Sequence, residues 1–276
     1  MRNVLLKLHK YAGLIFGVLL SLIGISGSLL VFDHAIDEAL TPELRSNPSA
    51  TPIKLESVIS AAREAAPSDA TLSRLYLSRA AGSPHVARFP GGANDGKALE
   101  VSIAPDSADV LAVRVWGNYP MTWLYSFHHS LTAGQTGKYI VGTMGIALLF
   151  FCLSGIVIWW PRRGQWRGAL RIERHKGAMR LNYDLHKFIG IFFSVLLGLS
   201  AFTGIGLIFH GPMEAAVNFV SPVSKLPSPS SAPRNTIETP AISVDIPVAQ
   251  ASTVFPGATL KRTSSPASDT ASYQML

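Results

Sequence analysis

Three long stretches without a charged residue constrain this chain more than any other feature. Residues 11–32 lie between Lys10 and Asp33, residues 139–161 between Lys138 and Arg162, and residues 188–213 between Lys187 and Glu214. With about 1.5 Å of rise per helical residue, the shortest reaches about 33 Å, enough to cross a hydrocarbon core of about 30 Å. Each therefore predicts a membrane-spanning helix, with Pro161 and Pro212 marking the ends of the second and third. A cleaved leader is the alternative for the first, since Arg2, Lys7 and Lys10 precede it, but the run is longer than the usual apolar stretch of about 7–15 residues. Hydrophobic residues at 48%, charged residues at 15% and a mean hydropathy of +0.28 agree with a chain partly in lipid.

The net charge of +7 is placed to set topology. Between the second and third stretches stand Arg162, Arg163, Arg167, Arg171, Arg174, Lys176, Arg180 and Lys187, against Glu173 and Asp184. A loop this basic beside spans stays in the cytoplasm, which puts the N-terminus on the same side and residues 35–137 and the tail outside. The charge thus finds its partner in membrane lipid, and nucleic acid is not needed to explain it. Cys152, the single cysteine, lies in an apolar run, so no intrachain disulfide is available to an exported part.

The chain also repeats itself. Leu8-His9-Lys10-Tyr11-Ala12-Gly13 aligns with Leu185-His186-Lys187-Phe188-Ile189-Gly190, and the match continues without gaps through Ser26-Gly27 and Thr203-Gly204. Duplicated membrane units of this kind build pseudo-symmetric bundles with sites at the repeat interface. Outside the spans, residues 55–66 read as an amphipathic helix, followed by strands at 71–79, 97–103 and 110–116. A Pro/Ser-rich linker at 222–240 leads to a similar helix at 246–255 and the start of a similar strand, predicting a second outer unit that is incomplete by Leu276 and, beyond it, a fourth span.

The expected organisation is an α-helical transmembrane bundle of three spans with a cytoplasmic N-terminus, a periplasmic α+β domain and an incomplete second one. Its parts are residues 1–34 (N-terminus and first helix), 35–137 (outer domain), 138–161 (second helix), 162–187 (basic loop), 188–211 (third helix) and 212–276 (linker and partial second unit).

The helix starts Leu8-His9, Phe127-His128 and Leu185-His186, the Ser-Gly and Thr-Gly pairs deep in each span, and the helix-and-strands unit between spans resemble the PepSY-associated transmembrane family. The resemblance covers nearly the whole chain. It implies a multi-pass protein of the bacterial inner membrane with a PepSY-like periplasmic domain, and reduction of a ferric siderophore by an iron-regulated oxidoreductase. It also implies a histidine ligand at His128 or His129.

The residues themselves point to haem. His9 and His186 occupy equivalent places on two parallel helices, so a pseudo-twofold axis turns both toward one central object, and haem iron accepts two such axial nitrogens. No Cys-x-x-Cys-His is present, so the cofactor expected is non-covalent haem b, one or two per chain. Gly13, Gly24 and Gly27 fall near the His9 line of a helical wheel, and Gly190 and Gly204 repeat this below His186, as a slot for a flat macrocycle or as ordinary small-residue packing. At the outer face the candidates are His34, His128, His129 and His210. Continuing the first helix, His34 returns to the face of His9, whereas His210 is swung away from His186. The expected iron ligands are His9 and His186 at one face, and His34 with His128 or His129 at the other. His85 and His175 read as surface residues.

Two such haems predict electron transfer across the membrane to a ferric siderophore, with electrons from a quinol or a separate cytoplasmic reductase, since no dinucleotide fingerprint is present. The scattered carboxylates Glu56, Glu64, Asp69, Asp95, Glu100, Asp106 and Asp109 read as a solvated surface. Ser126 and Ser130 lack an acid to orient a base, which excludes a hydrolase. Two rival readings are a cofactor-free protein whose PepSY-like unit engages a peptide, protease or envelope partner, and an accessory subunit of an iron uptake system.

Overall fold

The computed structural model describes residues 1–46, 53–91, 96–161, 163–222, 243–266 and 273–276; Arg162, Asp95 and the expected linker after Pro222 lie outside them. In chain order the helices are α1 (Arg2–Leu30), α2 (Asp33–Leu40), α3 (Leu55–Ala65), α4 (Pro120–Ser130), α5 (Gly134–Trp159), α6 (Trp166–Ala169), α7 (Ala178–Ile208), α8 (His210–Val220) and α9 (Asp245–Val254). The strands are β1 (Arg74–Tyr76), β2 (His85–Phe89), β3 (Leu99–Ile103), β4 (Val110–Val115), β5 (Arg262–Ser264) and β6 (Gln274–Met275). They fall into two compact units, Met1–Val31 with Tyr125–Ser224, and Phe32–Leu124 with Lys225–Leu276.

The first unit holds the three helices long and apolar enough to cross a membrane among the described residues, α1, α5 and α7. Two of them start well before their uncharged runs, so His9 and His186 sit about two turns inside α1 and α7. The early turns alternate leucines with basic residues, whose long stems lie along apolar surface while the charges stay in water. Leu14, Ile15 and Val18 on α1 and Phe192, Val195 and Leu196 on α7 are exposed, as side chains facing lipid are. In the bundle α5 is the shared element. It lies along α7 through small residues: a Cβ at Gly142 would come within 2.6 Å of the Phe209 ring, and one at Gly145 within 3.1 Å of Ile205. Without a hydrophobic force between helices in lipid, such close backbone approach is what holds them. Against α1, α5 packs more lightly.

The second unit is one antiparallel sheet in the order β4-β3-β2-β1-β5-β6. One face is covered by α3, whose Leu55, Val58, Ile59 and Ala62 pack on Leu75, Ala87, Phe89, Val101 and Ile103. Residues 243–266, where the sequence predicts the start of a second unit, extend this one. Val244 is fully buried in the same core, Asp245 accepts hydrogen bonds from the backbone N–H groups of Leu55 and Glu56 at the start of α3, and β5 pairs with β1. The strand β2 and its neighbours also correct the reading of His85 as a surface residue. Alternation along β2 turns His85, Ala87 and Phe89 to the helix-covered face, and His85 is 5% exposed. Its Nδ1 accepts the Ser78 backbone N–H at 2.8 Å, and burial holds the imidazole below its usual pKa. His175, by contrast, is exposed as expected.

Candidate cofactor site

The repeat His9 and His186 meet in space. Their ring centroids are 6.3 Å apart, with the planes at 70°. Two imidazoles on opposite sides of one metal, each nitrogen about 2 Å from it, hold their ring centres roughly 6 Å apart. The pair lines a cavity of about 870 Å³ whose wall includes Gly13, Gly17, Gly155 and Gly190, with Arg2, Gln165 and Lys187 among its polar members.

His9 is held in place by α5. Its Nδ1 lies 2.8 Å from the hydroxyl of Ser154, which is buried, and its ring meets the edge of Phe151 at 5.3 Å. The next residue, Gly155, faces the ring: a Cβ there would stand 3.6 Å from His9 Cε1, an ordinary van der Waals contact. With Nδ1 engaged by Ser154, the opposite nitrogen, Nε2, is the one left for a ligand. Beside His186, Lys187 donates to the fully buried carboxylate of Asp184 at 2.9 Å, which also takes Arg180 at 2.9 Å and the Glu173 backbone N–H at 3.1 Å. That knot fastens the basic loop to the first turns of α7.

The same arrangement recurs at the other end of the bundle with α1 as the holder. The ring of His128 lies on Ser26-Gly27, its Nδ1 3.0 Å from the Ser26 hydroxyl and 3.0 Å from the Ile23 carbonyl. A carbonyl only accepts, so Nδ1 carries the proton and Nε2 keeps its lone pair. A Cβ on Gly27 would come within 2.7 Å of His128 Cε1, so only glycine admits the ring. Gly27 thus seats His128, and of the glycines placed on the His9 and His186 lines, Gly13 and Gly190 line the cavity while Gly24 and Gly204 face open space. His128 is aimed by the turn between α4 and α5, where Leu131, Thr132 and Gly134 take positive φ and Gly137 passes under the Ser130 carbonyl. There a Cβ would clash outright.

The remaining histidines are placed differently. His129 stacks on Tyr125 at 5.7 Å, and partial burial, followed by the Lys138 and His128 charges, keeps it below the usual imidazole range. His34 does not continue the α1 phase: that helix ends at Leu30, Val31 and Phe32 form a turn, and His34 begins a separate helix, exposed and 3.4 Å from Asp33. The alignment of His34 with His9 on one wheel is therefore lost. His210 opens α8, exposed and 3.7 Å from Glu214. Ser26-Gly27 and Ser154-Gly155 each set a hydroxyl and a glycine beside a histidine of another helix, His128 and His9, and the recurrence of a Ser-Gly pair deep in a span is the signal in the sequence.

Among the described residues no group of three or more His, Cys, Asp or Glu is gathered to hold a bare metal ion. Two imidazoles 6.3 Å apart on a large glycine-walled cavity instead suit a group that brings its own ligands in one plane, so the residues present fit a haem.

Comparison with known proteins identifies the chain. The profile of the PepSY-associated TM region matches residues 6–274. An uncharacterized protein of Pseudomonas aeruginosa is 37% identical over 81 residues, 29% of this chain and 20% of its own length. The matched stretch thus spans about a fifth of that relative.

Proposed function

Because the chain belongs to the PepSY-associated transmembrane family, we propose that it is a haem-carrying protein of the bacterial inner membrane that passes electrons outward to ferric siderophores in the periplasm. The observation that carries this reading is the approach of His9 and His186 to 6.3 Å at the wall of the cavity between their helices.

When bound, haem b supplies one-electron chemistry at its iron. His9 and His186 would hold it at the cytoplasmic end, with Ser154 orienting the first through Nδ1. Arg2 lines the same cavity and would supply positive charge to acidic groups of the cofactor, whereas Lys187 is held by Asp184. Phe151, Leu148, Ile156 and Trp159 keep the wall apolar, which excludes water from the redox centre. At the other end of the bundle His128 is prepared in the same way and would be the first candidate ligand of a second haem; with the α1 phase broken at Val31 and Phe32, the wheel no longer ranks His34 above His210 for its partner.

The electrons come from a quinol or a cytoplasmic reductase. Each ferric ion takes one of them, and the ferrous ion is released because hard oxygen donors hold it far more weakly. The test is an absorption spectrum of the purified, detergent-solubilised protein after expression with ample haem supply. A Soret band that shifts on reduction is expected; a sample without one ends the redox reading.

A further inference from the structure

On the sheet face opposite α3, the register places like charges against each other. Arg74 on β1 is directly across from Arg88 on β2, and Arg262 on β5 is directly across from Tyr76 on β1, so three guanidinium groups surround one phenol. Directly opposed like charges destabilise an antiparallel pair. Glu100, across from Arg88 on β3, answers part of this charge at 3.5 Å, but it also accepts the Tyr119 hydroxyl at 2.5 Å. Further along β4, Arg114 makes a two-pronged pair with Asp37 at 2.8 and 2.9 Å, its Nε left without a hydrogen-bond partner among the described residues. The guanidinium of Arg88 lies 4.1 Å over the Trp116 ring and that of Arg262 5.9 Å from the centre of the Tyr76 ring, while Arg262 Nε is buried with no hydrogen-bond partner among the described residues. Partial burial raises the Tyr76 phenol, yet Arg74 and Arg88 outweigh it and hold the phenol below its usual range. Arg74 and Arg88 thus favour negative charge on the phenol oxygen.

We propose that Arg74, Arg88 and Arg262, with Tyr76 and Trp116, form a binding site for an oxygen-rich polyanion, its oxygens bound by the guanidinium forks and its flat parts stacked on the rings. Forked guanidinium groups match carboxylate and phosphate geometry two bonds at a time, and they remain charged when partly buried. Two sources supply this chemistry: a soluble anionic chelate, and the headgroup of an anionic lipid. Assigning the ligand as an anionic ferric chelate rests on the electron-transfer reading; the anion site itself does not.

Titration calorimetry on the purified full chain with gallium(III) citrate, which cannot be reduced, separates the two. Saturable binding is expected, weakened about tenfold by Arg74→Gln, about tenfold by Arg88→Gln, and less by Arg88→Lys. At constant ionic strength the same probe is expected to raise the unfolding temperature of the wild-type chain, a reading that does not depend on the variants folding. Arginine-dependent binding to phosphatidylglycerol vesicles without citrate binding assigns the site to a lipid headgroup and upholds the anion site. Equal behaviour of wild type and the Arg74→Gln, Arg88→Gln double variant toward both probes, or no binding and no thermal shift in the wild type, overturns it. Because gallium takes no electron, haem-free protein that still binds leaves this inference standing while the redox reading falls.

Discussion

An imidazole becomes a directional ligand when one of its nitrogens is committed elsewhere, and here a serine makes that commitment at both ends of the bundle. Ser154 engages His9, and Ser26 engages His128. Ser154→Ala frees the His9 ring to rotate and is expected to weaken haem binding about 10- to 100-fold, measured by titrating haem into the apoprotein. Gly27→Ala drives a methyl into the His128 ring and is expected to cost about 1–3 kcal/mol of stability, measured by thermal unfolding in detergent. His85 carries a different expectation. Burial lowers its folded-state pKa below the unfolded value of about 6.5, so its contribution to stability is intact above that pH and is lost as pH falls toward the folded value. Unfolding midpoints between pH 7 and pH 5 should therefore fall less steeply in His85→Gln than in the wild type. The histidines and glycines were legible as residue types. Their partners were not, because a helical wheel gives the face a side chain occupies and not the neighbour that occupies it.

At the scale of elements, a long uncharged run has one solution in lipid, which is why α1, α5 and α7 could be read from sequence while their early turns could not. The wheel failed where it assumed one helix through Val31 and Phe32, a turn that no proline or glycine announces. The strand β2 escaped because its five residues carry a histidine and an arginine in an alternation too short to outweigh the adjoining Gly and Pro. The repeat at residues 246–262 was legible as a repeat, but its partner was not: pairing of β5 with β1 is a long-range choice that local pattern does not encode. In the second unit α2 is tied to β4 by the Asp37 and Arg114 pair, both largely buried. Asp37→Ala leaves that guanidinium without its carboxylate and is expected to cost about 3 kcal/mol, measured by thermal unfolding, with Asp37→Asn recovering part of the loss.

For the whole molecule, the proposed function needs His9 and His186 on the cytoplasmic side, and the basic loop supplies the way to check it. A cysteine placed at the exposed His175 is expected to react with an impermeant maleimide in inverted membrane vesicles and to be protected in intact spheroplasts, whereas the native Cys152 is buried and stays silent. Orientation decides which side of the membrane each end of the bundle faces, but the central claim is that two copies of one repeat share a single haem. Potentiometric titration of His9→Ala and His186→Ala, followed at the Soret band, tests it most directly. The expected result is loss of the same redox component from both variants with any second component unchanged; loss of different components from the two, or full retention in either, would contradict the shared site.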